Sequence, residues 1–247
     1  MFKRICFGLL LLISVCGQAQ EKEVEYLEQT WLGYFNQTRF TERSGMWVDL
    51  HLRMTGNFVE DVGVTIARLG YTYYFTDQAR LTVGYAYATQ YGLTPDAPDI
   101  PEHRPWQQIQ WIEKKNWFTM MQWIRLEERF RKKVEAGELT DDFSFNYRIR
   151  YNMAISIPLK GKSVAPKVPF LFLNDELHIN LGEEITNNYF DQNRLFMGLG
   201  YQFNPSLTAH LGYMKVFQQL PQPSTFRNID AIRLFVFHNL DFRKKDE

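Results

Sequence analysis

Apolar and polar residues alternate along most of this chain, and that alternation constrains its fold more than any other feature. In residues 143–157, every second residue from Phe143 is apolar or aromatic, and the positions between include Arg148, Arg150 and Asn152. Successive side chains of a β-strand point to opposite faces, so this segment has one apolar and one polar face. A helix would spread both sets around its circumference.

The same period recurs through the chain, and we expect about eleven strands. They cover residues 28–40, 45–54, 62–75, 79–91, 102–113, 117–133, 143–157, 169–181, 192–203, 206–218 and 228–242. No helical period competes with them beyond the N-terminal segment, and no linker divides the chain. The sequence therefore predicts one all-β domain.

Alternation alone fits either a soluble barrel with an apolar interior or an outer-membrane barrel with an apolar exterior. The basic residues of the polar faces favour the second. Twelve arginines lie on strands: Arg39, Arg53, Arg68, Arg80, Arg104, Arg125, Arg129, Arg131, Arg148, Arg150, Arg194 and Arg233. The lysines gather in turns and at the ends of strands. Arginine beside glutamate suits an enclosed polar interior, because a guanidinium binds a carboxylate through two parallel hydrogen bonds.

The connections and the strand lengths also favour an outer-membrane barrel. Short or lysine-bearing turns at 76–78, 114–116, 158–168 and 204–205 alternate with longer, acidic loops at 92–101, 134–142, 182–191 and 219–227. Outer-membrane barrels have short periplasmic turns and long external loops. Most expected strands are also long enough to cross a membrane at a tilt. We therefore predict an antiparallel, up-and-down transmembrane β-barrel of 10–12 strands in the bacterial outer membrane, monomeric and surrounded by lipid.

Two features fit this barrel less simply. Bacterial single-chain barrels have even strand numbers, so eleven segments predict that 28–40 lies outside the barrel, giving ten strands, or that one strand is missed, giving twelve. Glu128 and Asp175 fall on the apolar phase of their strands. We expect both to lie near a rim, or at a bulge that resets the phase.

The first nineteen residues have the features of a signal peptide, and the barrel domain is expected over 20–247. Lys3 and Arg4 precede an apolar stretch at 5–15, and Gly17 and Ala19 are small residues suited to cleavage after Ala19. Removing this segment leaves 26 basic and 28 acidic residues and no cysteine. Disulfides and cysteine chemistry are then excluded for the exported chain.

The composition excludes further classes of protein. An aromatic content of 16% excludes a disordered chain. A balance of 28 basic and 28 acidic residues is unlike that of a nucleic-acid binder, so no such partner is expected.

Several blocks of the sequence resemble those of a known family. They are QTWLGY at 29–34, WVDLHLR at 47–53, RLGY at 68–71, GYAY at 84–87, EHRPWQQ at 102–108, RLEER at 125–129, NDE at 174–176 and QNR at 192–194. Over roughly 25–242 the chain resembles domain-of-unknown-function family 2490, most specifically at 102–108 and 125–129. The resemblance implies a barrel of the Gram-negative outer membrane and assigns no activity.

Candidate functional residues are the charged side chains on the polar faces, which we expect to form an ion-pair network in the lumen. They are Asp49, Arg53, Arg68, Glu102, Arg104, Arg125, Glu127, Arg129, Arg148, Arg150, Glu176 and Arg194. Arginines outnumber acids in this set, and a basic ring in a pore selects anions. The first functional hypothesis is a narrow pore that prefers anions and passes a small anionic solute.

Two alternatives stay open. Asp49 with His51, and Glu176 with His178, could each orient a general base, so a membrane-embedded lipid hydrolase is the second hypothesis. Strand serines are few, and none has a recognisable motif. A plugged barrel that serves as a scaffold is the third. We expect no catalytic residue under the first hypothesis, and no metal and no cofactor.

Overall fold

The computed structural model describes residues 22–243, which form a single closed barrel of eleven strands. The strands are β1 (Glu23–Arg39), β2 (Ser44–Thr55), β3 (Asp61–Tyr74), β4 (Ala79–Gln90), β5 (Ile100–Lys114), β6 (Thr119–Glu135), β7 (Glu138–Pro158), β8 (Pro169–Leu181), β9 (Phe190–Gln202), β10 (Leu207–Gln219) and β11 (Thr225–Asp241). The signal peptide expected at 1–19 lies outside the described residues. Within those residues no helix is long and apolar enough to cross a membrane, a finding with no bearing on a crossing made by strands.

The barrel is all-β, as predicted, and its strands follow one another around the wall in chain order. Neighbouring strands are antiparallel except at the closure, where β1 and β11 run parallel from Glu23 beside Thr225 to Arg39 beside Asp241. Eleven strands confirm the predicted range of 10–12. The expectation of an even number, ten or twelve, is wrong, because the segment 28–40 belongs to the barrel as β1. Strands of an up-and-down barrel alternate in direction, so an odd number can close only through one parallel pair.

The odd number places the two ends of the barrel chain at opposite rims. The end of the barrel at which β11 ends is called the C-terminal rim. It is formed by the connections 40–43, 75–78, 115–118, 159–168 and 203–206. The N-terminal rim contains the start of β1 and the connections 56–60, 91–99, 136–137, 182–189 and 220–224.

Two connections differ from the expected pattern of short turns and long loops. Residues 134–142 form no long loop, because β6 and β7 continue to a turn of Ala136 and Gly137. Both turn residues have positive φ, 51° and 86°, as in the tight turns that match the twist of a hairpin. The connection 159–168, expected among the short or lysine-bearing turns, bears lysines and is one of the longest.

The faces of the wall are divided as the alternation predicts. Large apolar side chains cover the outside, where Leu69 is 58% exposed and Met197 is 60% exposed. Glu128 and Asp175 also point outward. The strand register does not shift at either position, so no bulge resets the phase, although the pairing of β5 with β6 is interrupted at Glu128. Asp175 Oδ1 accepts a hydrogen bond of 2.7 Å from Asn193 Nδ2.

The interior is less polar than the sequence suggested, because aromatic rings fill part of it. One buried cluster lies on β1 and β7–β11 and includes Trp31, Phe172 and Phe196, and a second, on β2–β5, includes Trp47 and Trp106. Inward-facing glycines on neighbouring strands make room for these rings. A Cβ at Gly200 would lie 2.2 Å from the ring of Phe170, and one at Gly84 would lie 2.8 Å from the ring of Trp106.

Candidate functional site

An ion-pair network crosses the lumen in the half nearer the N-terminal rim. Its central acid is Glu127 on β6, which is 1% exposed. Glu127 Oε2 accepts hydrogen bonds of 2.5 and 2.9 Å from Arg148, and Oε1 accepts one of 2.6 Å from Arg150 Nη1. Arg125 Nη1 lies 3.7 Å from the same carboxylate. Three arginines from two strands therefore share one buried negative charge.

A second part of the network lies closer to the N-terminal rim. Glu102, near the start of β5, accepts two hydrogen bonds from Arg104, of 2.7 and 2.8 Å, and two from Arg129, of 2.5 and 3.1 Å. Asp191, at the start of β9, accepts a 3.0 Å hydrogen bond from Arg148 Nη1. Arg148 on β7 thus joins Asp191 on β9 to Glu127 on β6. Glu102 and Asp191 are each only 4% exposed.

The two acid–histidine pairs form as the sequence suggested, and both lie within ion pairs. His51 Nε2 is 2.9 Å from Asp49 Oδ1, which also accepts a 2.6 Å hydrogen bond from Arg68. His178 Nε2 is 3.1 Å from Glu176 Oε1.

Glu176 also binds arginines on both neighbouring strands. It accepts hydrogen bonds from Arg150, and Arg194 Nη1 lies 3.5 Å from its second oxygen. Between residues 22 and 243 no group of three or more potential metal ligands is found.

Besides Arg131, which lies near the N-terminal rim, three inward-facing arginines have no carboxylate within 4 Å among residues 22–243: Arg53, Arg80 and Arg233. Arg53 and Arg233 flank Trp31, which is the strand-pairing partner of both. Arg53 Cζ lies 3.6 Å from the centroid of the Trp31 ring, and aromatic faces attract such cations. These guanidiniums contact aromatic rings, whereas the other arginines of the lumen except Arg131 contact carboxylates.

All three arginines line a cavity of about 540 Å³ that occupies the other half of the lumen. Its mouth lies at the C-terminal rim, where Pro205, Asp77 and Asp241 border it, and its floor contains Glu176 and Arg150. Its walls combine polar and charged side chains with a set of aromatic and apolar ones. The aromatic and apolar set includes Trp31, Phe35, Trp47, Ile112, Met121, Trp123, Phe172, Met214, Phe235 and Phe237.

An ion pair borders the mouth of the cavity. Arg39 Nη1 donates a hydrogen bond of 2.6 Å to Asp77 Oδ1 in the turn between β3 and β4. This hydrogen bond and the positive charge of Arg39 hold the pKa of Asp77 below its ordinary value. Arg39 also stacks on Tyr74, with 4.3 Å between Cζ and the ring centroid. The rim thus contains paired charges, whereas Arg53 and Arg233, farther inside, lack acidic partners.

The structure places all twelve predicted residues in the lumen and divides them into two groups. Glu102, Arg104, Glu127, Arg129 and Arg148 belong to the ion pairs near the N-terminal rim. The others lie at mid-barrel, and these are Asp49, Arg53, Arg68, Arg125, Arg150, Glu176 and Arg194.

Sequence reasoning missed several residues of the site. Asp191 was assigned to a loop, although it begins β9 and pairs with Arg148. Arg233 was counted among the strand arginines but not among the candidates. The inward aromatics could have been found from the sequence, because Trp31 and Trp47 fall on the polar phase of their strands.

A comparison of the sequence with protein families identifies the family of this chain. The family described as "Protein of unknown function (DUF2490)" matches residues 28–227. The chain belongs to this family. Membership accounts for the blocks that run from 29–34 to 192–194 and covers the barrel from β1 into β11. No curated protein and no solved structure matches the chain.

Proposed function

We propose that this DUF2490 protein is an outer-membrane barrel that is closed to ions and holds a binding cavity open at one rim. Two parts of this proposal rest on different observations. The membrane location rests on the outer surface of the barrel, and the closure rests on the ion pairs inside it.

The outer surface supports a lipid environment. Leu69, Leu195, Met197 and Leu199 are each more than half exposed, and they belong to a continuous outward phase of apolar residues. Exposed apolar surface of this extent is unfavourable in water and marks contact with a membrane or a partner. A closed barrel leaves no unpaired strand edge in lipid. The segment at 1–19 would direct export, and lipids of the outer membrane are the partners we propose for the wall.

The observation that carries the closure is the burial of the ion pairs across one half of the lumen. A channel that conducts ions needs a continuous water-filled route, and side chains that border such a route are exposed to water. Glu127 and Glu102 instead keep 1% and 4% of their surface accessible. Arg104 and Arg148, which bind them, are also buried. We therefore favour a closed barrel over the narrow, anion-preferring pore that the arginine content suggested.

Single-channel recording tests this proposal. The mature chain, purified in its folded form, is added to a planar bilayer under a salt gradient. Insertion is verified by heat-modifiable migration of the recovered protein on a gel. We expect a silent bilayer. Discrete conductance steps with a reversal potential that indicates anion preference would overturn the closed barrel and restore the pore.

Lipid hydrolysis is tested separately, because His51 lines the cavity. Its ring nitrogen already contacts Asp49 and Arg68, and no serine is among the cavity-lining residues of the described chain. We therefore propose binding without hydrolysis. Phospholipid turnover by the folded protein that is lost in His51→Ala would contradict this.

A further inference from the structure

Arg53 is a cation in the lumen without a polar partner. Among residues 22–243 it makes no hydrogen bond and has no carboxylate within 4 Å, and its Nε is buried and unbonded. Its guanidinium lies on Trp31 and borders the cavity. A guanidinium has five N–H donors, and removing it from water without acceptors is costly. An acceptor supplied from the cavity would offset this cost.

Arg233 has a similar environment on the other side of Trp31. It is 6% exposed, and its side chain makes one hydrogen bond, of 3.3 Å from Nη1 to Asn174 Oδ1. Its Nε is buried without a partner. Its Cζ lies 3.7 Å from the ring centroid of Phe196 and 4.4 Å from that of Phe235. This guanidinium therefore also has donors available to a ligand.

The strand register places these two arginines in one row of paired residues across three adjacent strands. Trp31 pairs with Arg53 on β2 and with Arg233 on β11. Adjacent strands lie about 4.8 Å apart, so the backbones of the two arginines are about 10 Å apart. Both side chains point inward, and each is long enough to turn toward a group between them. One small anionic group can therefore meet both guanidiniums.

The rest of the cavity suits an apolar body attached to that group. Between the arginines and the mouth, the walls include Phe35, Phe237 and Met121. The volume of about 540 Å³ falls within the range of about 300–1,000 Å³ that is usual for sites of small organic ligands.

We propose that the cavity binds an amphiphilic anion, with a carboxylate as the anionic group and an apolar chain or ring as the body. The carboxylate lies at Arg53 and Arg233, and the body extends along the aromatic walls toward the C-terminal rim. A carboxylate matches the planar fork of a guanidinium and forms charge-assisted hydrogen bonds with it. This inference rests on the proposed function, since it needs a lumen that opens at one rim only.

Calorimetric titration of the folded barrel in an uncharged detergent tests the proposal. Decanoate carries both features of the ligand, decanamide has the same chain without the charge, and acetate has the charge without the chain. Titration into protein-free micelles corrects for partition into detergent. We expect decanoate to bind, and decanamide and acetate to bind at least about tenfold more weakly, because each lacks one part of the recognition.

Variants locate the charged end. We expect Arg53→Gln and Arg233→Gln each to weaken decanoate binding by about 10- to 100-fold, the usual cost of losing a hydrogen bond to a charged group. The matched control is Arg131→Gln. Arg131 is another lumen arginine without a carboxylate within 4 Å among the described residues, but it binds Gln90 near the N-terminal rim, away from the cavity. It should leave binding unchanged.

Three results would overturn the proposal: equal binding of decanamide, equal binding of acetate, or undiminished decanoate binding in both cavity variants. If Arg233→Gln fails to fold, Arg53→Gln decides alone, because Arg53 makes no hydrogen bond within the described chain that folding would lose. Conductance recorded on the same preparation separates the two proposals. A silent barrel that does not bind decanoate overturns only the ligand, whereas a conducting barrel overturns the closure.

Discussion

Replacing Glu127 by glutamine should destabilise the barrel severely, because it removes the charge that three arginines share. Glu127 is 1% exposed and accepts three hydrogen bonds of 2.5–2.9 Å from Arg148 and Arg150. Arg125 adds a contact of 3.7 Å. In the Glu127→Gln variant these guanidiniums stay buried with less compensating charge. Arg148 keeps Asp191 as a partner, so the network is weakened but not abolished.

The expected magnitude follows from the burial of the pair. Breaking a buried ion pair from one side costs about 3–5 kcal/mol, and we expect a loss of this size in the free energy of unfolding. The measurement is urea unfolding of the folded barrel in lipid vesicles, followed by tryptophan fluorescence and by the loss of heat-modifiable gel migration.

The neighbouring Glu128 supplies a matched control. It is chemically identical and points outward, and its side chain accepts one long hydrogen bond of 3.3 Å from Gln107 Nε2. Glu128→Gln should not destabilise the barrel, because a charge on the outer face has little pairing to lose. The reasoning is refuted if Glu127→Gln unfolds at the same urea concentration as the natural protein, or if the two variants are equally destabilised.

Two further predictions concern packing and pH. Gly200→Ala should lower the free energy of unfolding by about 1–3 kcal/mol, because its Cβ would meet the Phe170 ring at 2.2 Å. Gly63→Ala, whose nearest atom would be 3.5 Å away, should change it by less than about 1 kcal/mol; equal urea midpoints would contradict this. Arg39 lowers the pKa of Asp77. At pH values above its ordinary pKa of 3.8, ionised Asp77 should therefore stabilise the barrel, and this contribution should be lost as the pH falls through the lowered pKa. The stability difference between the natural protein and Asp77→Asn should therefore shrink in acid, and a constant difference would exclude the pairing.

Alternation was sufficient to predict the class of fold and the approximate strand positions. The segment expected at 169–181 coincides with β8, and 45–54 differs from β2 by one residue at each end. The alternation also predicted which side chains face the lumen and which face outward, because strand side chains alternate between the two faces where the register is unbroken. The parallel closure could not be read from the sequence. Period two describes each strand by itself and carries no information about which strands pair.

The candidate site was predictable only in its charged part. Arg148 and Glu127 could be placed on one face of adjacent strands, and they form an ion pair. The separation of the lumen into a paired half and a cavity depends on strand stagger, which brings Trp31 between Arg53 and Arg233. That stagger is a property of the closed barrel and is absent from the sequence pattern.

Thiol accessibility inside the barrel tests the central claim most directly, namely that one half of the lumen is open and the other is closed. The barrel residues include no cysteine, so Thr208→Cys and Ala88→Cys each introduce a single thiol. Thr208 lines the cavity, whereas Ala88 faces the lumen beside Glu102, toward the N-terminal rim, and is 2% exposed. A small anionic methanethiosulfonate is applied to both sides of the folded barrel in vesicles.

The account predicts rapid modification at position 208 and none at position 88 until the barrel is unfolded. Modification of the folded barrel at both positions at similar rates would show a continuous aqueous lumen and contradict the account.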